Sequence, residues 1–339
     1  MSDVARKAQV SESTVSRVLS GSETAISISD ATRQRVLVAA DELSYQPNPF
    51  ARALRGKSTN LIGLIVREVD DPFFSELIEV IGSEASAAGF DLVLGYKSDP
   101  QEALHLGQML ELRHSDGLFL LGDLDESAED YMFLAEMGEE HPLVSLCRGN
   151  GALVGSAAHV GLDNAKGVEL ALEYLFSLGH RDIAYLGAAR FGDLRERQEA
   201  YTILMGDRLG AMPAERVWVE DNSFEGGYAA ATNLLSMADR PSALLASDDT
   251  MAIGAIAAAL DLGLQVGSDV SIAGFDGIKL GEYVRPALTT VRQPIEKIGE
   301  KAVEMLVAMI REDGTGQVAQ QVRFEPELVI RQSCGPLCR

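Results

Sequence analysis

Apolar residues near the start of the chain recur at helical spacing in two short segments separated by a corner. The apolar positions are Val4, Ala5 and Ala8 in the first segment and Val15, Val18 and Leu19 in the second. Ser11 can cap the second helix, because its hydroxyl can accept a free backbone N–H of the first turn. Polar residues occupy the outer face. The pattern predicts a helix-turn-helix, although a helical hairpin without a special role has the same shape.

A third helix is predicted over 29–44, with Ser29 as its cap. Its expected apolar stripe consists of Val36, Leu37, Ala40 and Leu43. Residues 1–45 then form an all-helical head. The prolines of segment 46–58 precede only one or two helical turns, and a helix this short is marginal alone. We interpret 46–58 as a linker that becomes ordered when its basic side chains are held by phosphate.

From Leu61 onward, apolar runs alternate with helical patterns, which indicates parallel sheets covered by helices. Strands are predicted at 61–66, 91–96, 117–121, 143–147, 159–163, 183–187, 217–220, 243–247 and 270–276. Helices are predicted at 72–88, 100–112, 165–178, 195–209, 226–237 and 251–262. Nine strands are too many for one sheet, so we expect two lobes, about 59–160 and about 161–290, with the chain crossing back near its C-terminus. The body ends at 331, and 332–339 is expected to be a frayed tail.

The net charge of the 339-residue chain changes sign near residue 60. The whole chain carries a net charge of −22, but residues 1–60 carry +2 and the remainder carries −24. Phosphate repels the body, so only the head is expected to contact DNA. No run reaches the ~18 apolar residues of a membrane helix, and no apolar export segment begins the chain. Three cysteines, Cys147, Cys334 and Cys338, are too few for a disulfide framework, so we expect a cytoplasmic protein.

Polar and aromatic residues follow several predicted strands, where open parallel sheets bind their ligands. They are Phe73, Phe74, Asp163, Arg197, Asp248 and Asp276. Carboxylates accept hydrogen bonds from hydroxyls, arginine donates them, and aromatic faces pack on the C–H surface of a sugar. The set therefore predicts a sugar or polyol site between the lobes. We interpret Asp71 and Asp249 as helix caps only.

Motifs for catalysis are missing from the sequence. There is no G-x-x-x-x-G-K-[ST], no G-x-G-x-x-G after the first strand and no H-E-x-x-H, and the five histidines are scattered. We expect no enzymatic activity, no cofactor and no metal.

The chain resembles the lac-repressor-type (LacI/GalR) transcription regulators over almost its full length. The motifs that carry the resemblance are DVARKAQVSESTVSRVLS, TRQRV…LSYQPNPFARALR, IGLIV…DPFF, VGLDN, LGHRDIAYLG, ASDDTMAIGA and VSIAGFDG followed by LTTVRQP. The resemblance implies a helix-turn-helix head on a two-lobed, periplasmic-binding-protein-like α/β body with two parallel sheets. It also implies a homodimeric repressor of a pseudo-palindromic operator, controlled allosterically by a small effector.

The resemblance also implies residue roles. Ser13 and Arg17 contact bases, and Glu12 lies beside them. Thr14 and Ser16 contact phosphate. Ala51 and Leu54 belong to the hinge, where Leu54 inserts into the minor groove. The effector positions are the six strand-end residues named above together with Asn222, where family members often have an aromatic. Gln9 replaces a glycine of the turn, which implies strain of only ~1 kcal/mol if the position needs a positive φ.

Alternatives remain open. A sugar-binding protein shares the two-lobed body, but it is expected to have a signal peptide and no basic head. A sugar-acting enzyme is expected to turn over its ligand in a way that depends on Asp276. The ligand of a regulator can also act as a corepressor, and purine-type ligands occur in the family, although the carboxylates here favour a sugar.

Overall fold

The structure is a computed structural model. It describes residues 1–19, 28–43, 45, 58–66, 69, 71–96, 115–122, 141–146, 158–187, 192–210, 216–312 and 320–337. The chain divides into two compact units, Met1–Asn60 and Leu61–Arg339, here called the head and the body. Among the helices so described, none is long and apolar enough to cross a membrane.

The described residues of the head form three helices: α1 (Ser2–Ala8), α2 (Glu12–Leu19) and α3 (Asp30–Glu42). Their small apolar faces meet in a core of Val4, Ala5, Ala8, Val15, Val18, Val36, Ala39 and Ala40. Gln9 adopts a left-handed conformation with φ 54° and ψ 47°, so the position does need the positive φ of the glycine it replaces. Its N–H donates to Arg6 O at 3.3 Å, which closes α1 and lets the chain turn into α2.

The apolar stripe predicted for α3 is wrong at two of its four positions. Val36 and Ala40 are buried, but Leu37 and Leu43 are exposed. Ala39 completes the buried face instead, because 36, 39 and 40 follow the i, i+3, i+4 spacing of one helical face. The predicted cap is confirmed, since the Ser29 hydroxyl accepts from the backbone N–H of Thr32 at 3.4 Å.

Two six-stranded sheets form the body, in the orders β11-β5-β4-β3-β1-β2 and β12-β10-β9-β8-β6-β7. The strands are β1 Leu61–Val66, β2 Asp91–Tyr96, β3 Gly117–Leu121, β4 Leu143–Leu146, β5 Ala158–Leu162, β6 Ile183–Gly187, β7 Val217–Val219, β8 Ala243–Ala246, β9 Ser271–Asp276, β10 Thr289–Arg292, β11 Gln321–Phe324 and β12 Glu327–Val329. All nine predicted strands are present. Pairing is parallel except between β10 and β12, which are antiparallel, so the second sheet is not purely parallel.

Helices of the body cover these sheets. Among the described residues they are α4 Pro72–Ala87, α5 Asn164–Ser177, α6 Gly192–Leu209, α7 Phe224–Leu235, α8 Asp249–Asp261, α9 Leu280–Tyr283 and α10 Ile295–Arg311. Helix α6 begins three residues before the predicted start. The helix predicted over 100–112 lies outside the described residues.

The chain crosses between the two sheets more than once. After the second sheet has received β10, helix α10 packs its apolar face on α4 and into the core of the first sheet. This packing is close, because a Cβ on Gly299 would lie 2.6 Å from Val80 Cγ1. Strand β11 then joins the first sheet beside β5, and β12 returns to the second. The crossings leave the carboxyl ends of both sets of parallel strands around one cleft.

The expectation of a frayed tail is wrong for residues 332–337. The Ser333 hydroxyl is fully buried, donates to Ile272 O at 2.5 Å and accepts from Thr289 N at 2.8 Å. Cys334 is also buried, and burial raises the pKa of its thiol to about 12. This segment therefore packs against the second sheet and is hydrogen-bonded to both β9 and β10. Residues 338–339, which include Cys338, lie outside the described residues, as does Cys147.

Replacing Ser333 with alanine should lower the free energy of unfolding by about 1–3 kcal/mol, because it leaves a buried N–H and a buried carbonyl with fewer partners. Urea denaturation measures this difference. Ser236→Ala, at an exposed position after α7, is the matched control and should stay within about 0.5 kcal/mol of the wild type. If the two variants have equal free energies of unfolding, the C-terminal segment does not stabilise the second sheet through Ser333.

Candidate functional site

Five of the seven residues expected to contact DNA lie on α2. They are Glu12, Ser13, Thr14, Ser16 and Arg17, and all are at least partly exposed. The Ser11 hydroxyl accepts from Thr14 N at 3.2 Å and lies 2.7 Å from the hydroxyl of Ser13. The cap thus fixes the first turn of α2, from which early residues of a recognition helix reach bases. Ala51 and Leu54 lie outside the described residues.

In the body, a small cavity lies at the carboxyl ends of the strands, between the two sheets. Its lining residues are Asp71, Phe73, Phe74, Gly122, Asp193, Leu194, Arg197, Asn222, Asp248, Asp276 and Gln293. Six of the seven residues predicted to contact an effector are among them. The side of the first sheet supplies Asp71 and the aromatic pair, whose ring centroids are 5.6 Å apart, and the side of the second supplies the other charged groups and the amides.

Asp163, the seventh predicted residue, is not part of this lining. Its carboxylate caps α5 by accepting from Lys166 N at 2.9 Å. The next residue, Asn164, is buried and reaches the site instead. Its Oδ1 accepts from Arg197 Nε at 2.9 Å, and its Nδ2 donates to Asp193 at the same distance. Asn164 therefore positions two groups of the cavity without lining it.

Arg197 is the central cation of the site and is only 2% exposed. Its Nη1 donates to Ser247 O at 2.7 Å and lies 3.0 Å from Asp276 Oδ1. Its Cζ lies 3.8 Å from the centroid of the Phe275 ring. Burial alone lowers the pKa of this guanidinium, but the neighbouring carboxylates, Asp276 foremost, outweigh burial and raise it. Arg197 stays charged, and its orientation is fixed on three sides.

Asp276 has a strained backbone, with φ 101°. Non-glycine residues rarely adopt such a conformation, and it costs on the order of 1–3 kcal/mol. Its carboxylate is held by Arg197 and by Gln293 Nε2, which donates at 2.7 Å. The buried carboxylate of Asp249 holds the following turn, accepting from Gly277 N and Ile278 N at 2.8 Å each. The turn after β9 is thus fixed by side chains from three elements.

The cap role that the sequence analysis assigned to Asp249 is wrong, because Asp248 is the cap. Asp248 is the cap of α8, accepting from Met251 N at 2.8 Å, and it also lines the cavity. Asp249 is the second residue of the pair and makes no cap, since it points to the turn after β9. Burial, reinforced by repulsion from Asp276, raises the pKa of Asp248 from 3.8 to about 6. The same causes raise the pKa of Asp249 well above its ordinary value.

Two amide oxygens at the cavity have no hydrogen-bond partner among the described residues. They are Asn222 Oδ1 and Gln293 Oε1. Gln293 is 2% exposed and was missed by the sequence analysis. It follows β10, a strand that was not predicted because TTVR has no long apolar run. The position of Gln293 in the LTTVRQP motif could have identified it. Asp193 was missed because the predicted start of α6 lay after it.

The cavity has a volume of about 40 Å³, which is room for about one water molecule. A sugar is larger than this space. The lining must therefore move to admit one, and residues that connect the two sheets lie directly beside it. Ile278 is one such residue, because it follows β9 of the second sheet yet is buried in the core of the first.

The stability of an Asp248→Asn variant, relative to the wild type, should depend on pH. Folding raises the pKa of Asp248, so the folded state binds its proton more tightly, and this contribution to stability is lost as the pH rises from about 4 to about 6. Asparagine can still cap α8 and does not titrate. The variant should gain roughly 1–2 kcal/mol on the wild type between pH 5 and pH 7.5.

Chemical denaturation at a series of pH values measures this difference. Glu225→Gln, at an exposed position in the first turn of α7, controls for the removal of one negative charge. A difference between D248N and the wild type that does not change with pH contradicts a raised pKa at Asp248.

Comparison with known proteins agrees with both parts of this arrangement. Residues 1–48 match the family described as bacterial regulatory proteins, lacI family, and residues 172–334 match a periplasmic binding protein-like domain. The HTH-type transcriptional repressor PurR of Erwinia tasmaniensis is 34% identical over 345 residues, covering 98% of this chain and 95% of the relative.

Solved structures give the same result. A transcriptional regulator CelR–cellobiose complex is 30% identical with a TM-score of 0.73, and 98% of each chain is covered. The lac repressor dimer bound to operator and the anti-inducer ONPF is 26% identical with a TM-score of 0.81, covering 98% of this chain and 97% of that one. With a relative at this identity over nearly its whole length, and with the matching head and body, the chain belongs to the lacI family of bacterial regulatory proteins.

Proposed function

We propose that this chain is a homodimeric transcriptional repressor whose affinity for a pseudo-palindromic operator is set by a sugar or related polyol bound between the two sheets. The observation that carries the proposal is the cavity at the strand ends, lined by carboxylates, one buried guanidinium and a pair of aromatic rings. The named relatives support it, because PurR is called a repressor and the lac repressor structure contains operator.

The DNA side of the proposal rests on the exposed face of α2. We assign base contacts to Ser13 and Arg17 and phosphate contacts to Thr14 and Ser16, with Glu12 beside them. Two heads are needed to read two half-sites, which is why we propose a homodimer. The lac repressor relative is a dimer on its operator. Ala51 and Leu54 are assigned to the hinge on the sequence alone. Because its operator is DNA inside the cell, we also propose that the protein is cytoplasmic.

The ligand side rests on the chemistry of the cavity. Phe73 and Phe74 offer apolar surface to the C–H face of a sugar ring, while Asp248 and Asn222 offer acceptors to its hydroxyls. The CelR structure, which is a complex with cellobiose, supports a sugar over a nucleobase. Solute transport is disfavoured, because the named relatives are transcriptional regulators.

Coupling between the two sides follows from the size of the cavity. In this proposal the lining moves by separation of the two sheets, so the ligand favours one arrangement of the body over another. The segment after β9 is a candidate connection, since Asp276 lines the cavity, Ile278 is buried in the core of the first sheet and Lys279 N donates to Glu76 of α4 at 3.0 Å. A change in this segment alters the first sheet, from which the chain leads back to the head.

Replacing Ser13 or Arg17 with alanine should weaken operator binding by about 10- to 100-fold, because each removes a base contact worth about 1–3 kcal/mol. A gel shift with the upstream region of its own gene measures this. Removal of residues 1–57 should abolish specific binding. Arg240→Ala, exposed in the body before β8, removes the same charge as Arg17→Ala and should bind normally. Specific binding by the chain that lacks residues 1–57 contradicts the proposal.

A further inference from the structure

We infer that Glu12 selects a cytosine in each half-site of the operator, by accepting a hydrogen bond from the N4 amino group of that base in the major groove. The inference rests on the proposed function in one respect, namely that α2 enters the major groove. It goes further, because it assigns a contact to a residue that so far has none and names the base that this residue requires.

Glu12 occupies a position from which a side chain can reach a base edge. It is the first residue of α2, and it is exposed. The N-terminal residues of a recognition helix are the ones that contact bases. Ser13 follows directly, and Ser16 lies four residues further along, on the same side of the helix as Glu12. The carboxylate therefore belongs to the polar surface of α2, away from the buried Val15 and Val18.

The carboxylate of Glu12 has no hydrogen-bond or ion-pair partner among the described residues. The neighbouring hydroxyls hold one another instead, because Ser11 Oγ lies 2.7 Å from Ser13 Oγ and 2.9 Å from Thr14 Oγ1. Ser11 Oγ also accepts from Thr14 N at 3.2 Å, so α2 is capped without Glu12. The sequence that follows α2, residues 20–27, contains no lysine or arginine. Glu12 is therefore available to a group outside the head.

A carboxylate discriminates between bases in the major groove because it can only accept hydrogen bonds. Guanine presents N7 and O6, and thymine presents O4, all of which are acceptors that repel a carboxylate. Adenine presents an N6 amino group, but its N7 acceptor lies beside that group. Cytosine presents its N4 amino group with no acceptor beside it on the same base. The base that suits Glu12 best is therefore cytosine.

The negative charge of Glu12 also acts against every other sequence. A carboxylate close to the phosphate backbone is repelled, and only a hydrogen bond from an amino group offsets this repulsion. Sequences without that amino group are bound more weakly, so Glu12 adds a repulsive contribution to specificity. Residues 1–60 carry a net charge of +2, which becomes +3 when Glu12 is removed. Loss of Glu12 should therefore strengthen binding to random DNA while it weakens selection.

The alternative role for Glu12 lies within the protein. A negative side chain in the first turn of a helix is favourable, because it interacts with the positive end of the helix dipole. That interaction stabilises α2 whatever DNA sequence is bound. A change in the preferred base at a single operator position therefore separates the two roles.

The test is selection of double-stranded DNA from a randomised pool by the full-length protein, with sequencing of the bound fraction at one fixed salt concentration. The wild type should recover an inverted repeat with cytosine at one position of each half-site, favoured by about 10- to 100-fold over the other bases. Glu12→Gln should change the preferred base at that position to adenine, because glutamine contacts N6 and N7 of adenine together. The other positions should keep their bases.

Two further variants serve as comparison and control. Glu12→Ala should lose the preference at that position and bind random DNA up to about five-fold more tightly, since one charge close to phosphate is removed. Asp41→Asn removes the same charge at an exposed position near the end of α3. It should recover the same sequence as the wild type. Thermal unfolding of each full-length variant shows whether the head keeps its stability.

The outcomes separate this inference from the proposed function. If the wild type recovers an operator and Glu12→Gln recovers the same bases at every position, the inference is overturned and the proposed function stands. A base other than cytosine at the position that the Glu12 variants alter also overturns the inference alone. If the wild type recovers no preferred sequence, the proposed function fails and the inference fails with it.

Discussion

The buried charge of Arg197 is the constraint on which the body depends. A guanidinium with 2% exposure is tolerated only when its charge and its N–H groups have partners. Those partners come from Asn164 at the start of α5, Ser247 after β8 and Asp276 at the end of β9. One side chain thereby fixes the ends of several neighbouring strands. The edge of the second sheet is therefore held in place at the cavity.

Rigidity at this edge is combined with strain. The conformation of Asp276, at φ 101°, persists because its side chain is held by Arg197 and Gln293 and the following N–H groups are held by Asp249. A ligand that changes the contacts of Asp276 also changes what maintains this conformation. The turn continues directly to Ile278, which is buried in the core of the first sheet. The cavity lining and the connection between the sheets are therefore parts of one short segment.

Sequence analysis predicted most of the fold because the central strands are continuous apolar runs. LIGLIV and GLFLL are buried on both faces, and such runs are readable without any tertiary information. Strands β10 to β12 were missed, since TTVR, QVRF and ELV are short and mixed in polarity. Their pairing is decided by neighbours far away in sequence. The same limit explains why Leu37 was wrongly predicted to be buried. Which side of α3 is buried depends on where the other two helices lie.

The site was predicted in part for the same reason. Residues at or directly after the ends of recognisable strands, such as Asp276 and Asp248, were found, whereas Gln293 after the missed β10 was not. The division of roles between Asp248 and Asp249 could not be read from the sequence, because either can cap a helix. Only the positions of Met251 N and of the turn after β9 decide it.

The central claim is that the cavity and the operator interface are energetically coupled, and coupling of two binding equilibria is reciprocal. The most direct measurement is the dissociation constant of the effector for the free protein and for the protein saturated with operator. We expect operator to change effector affinity by the same factor by which effector changes operator affinity. Identical effector affinity with and without operator contradicts it.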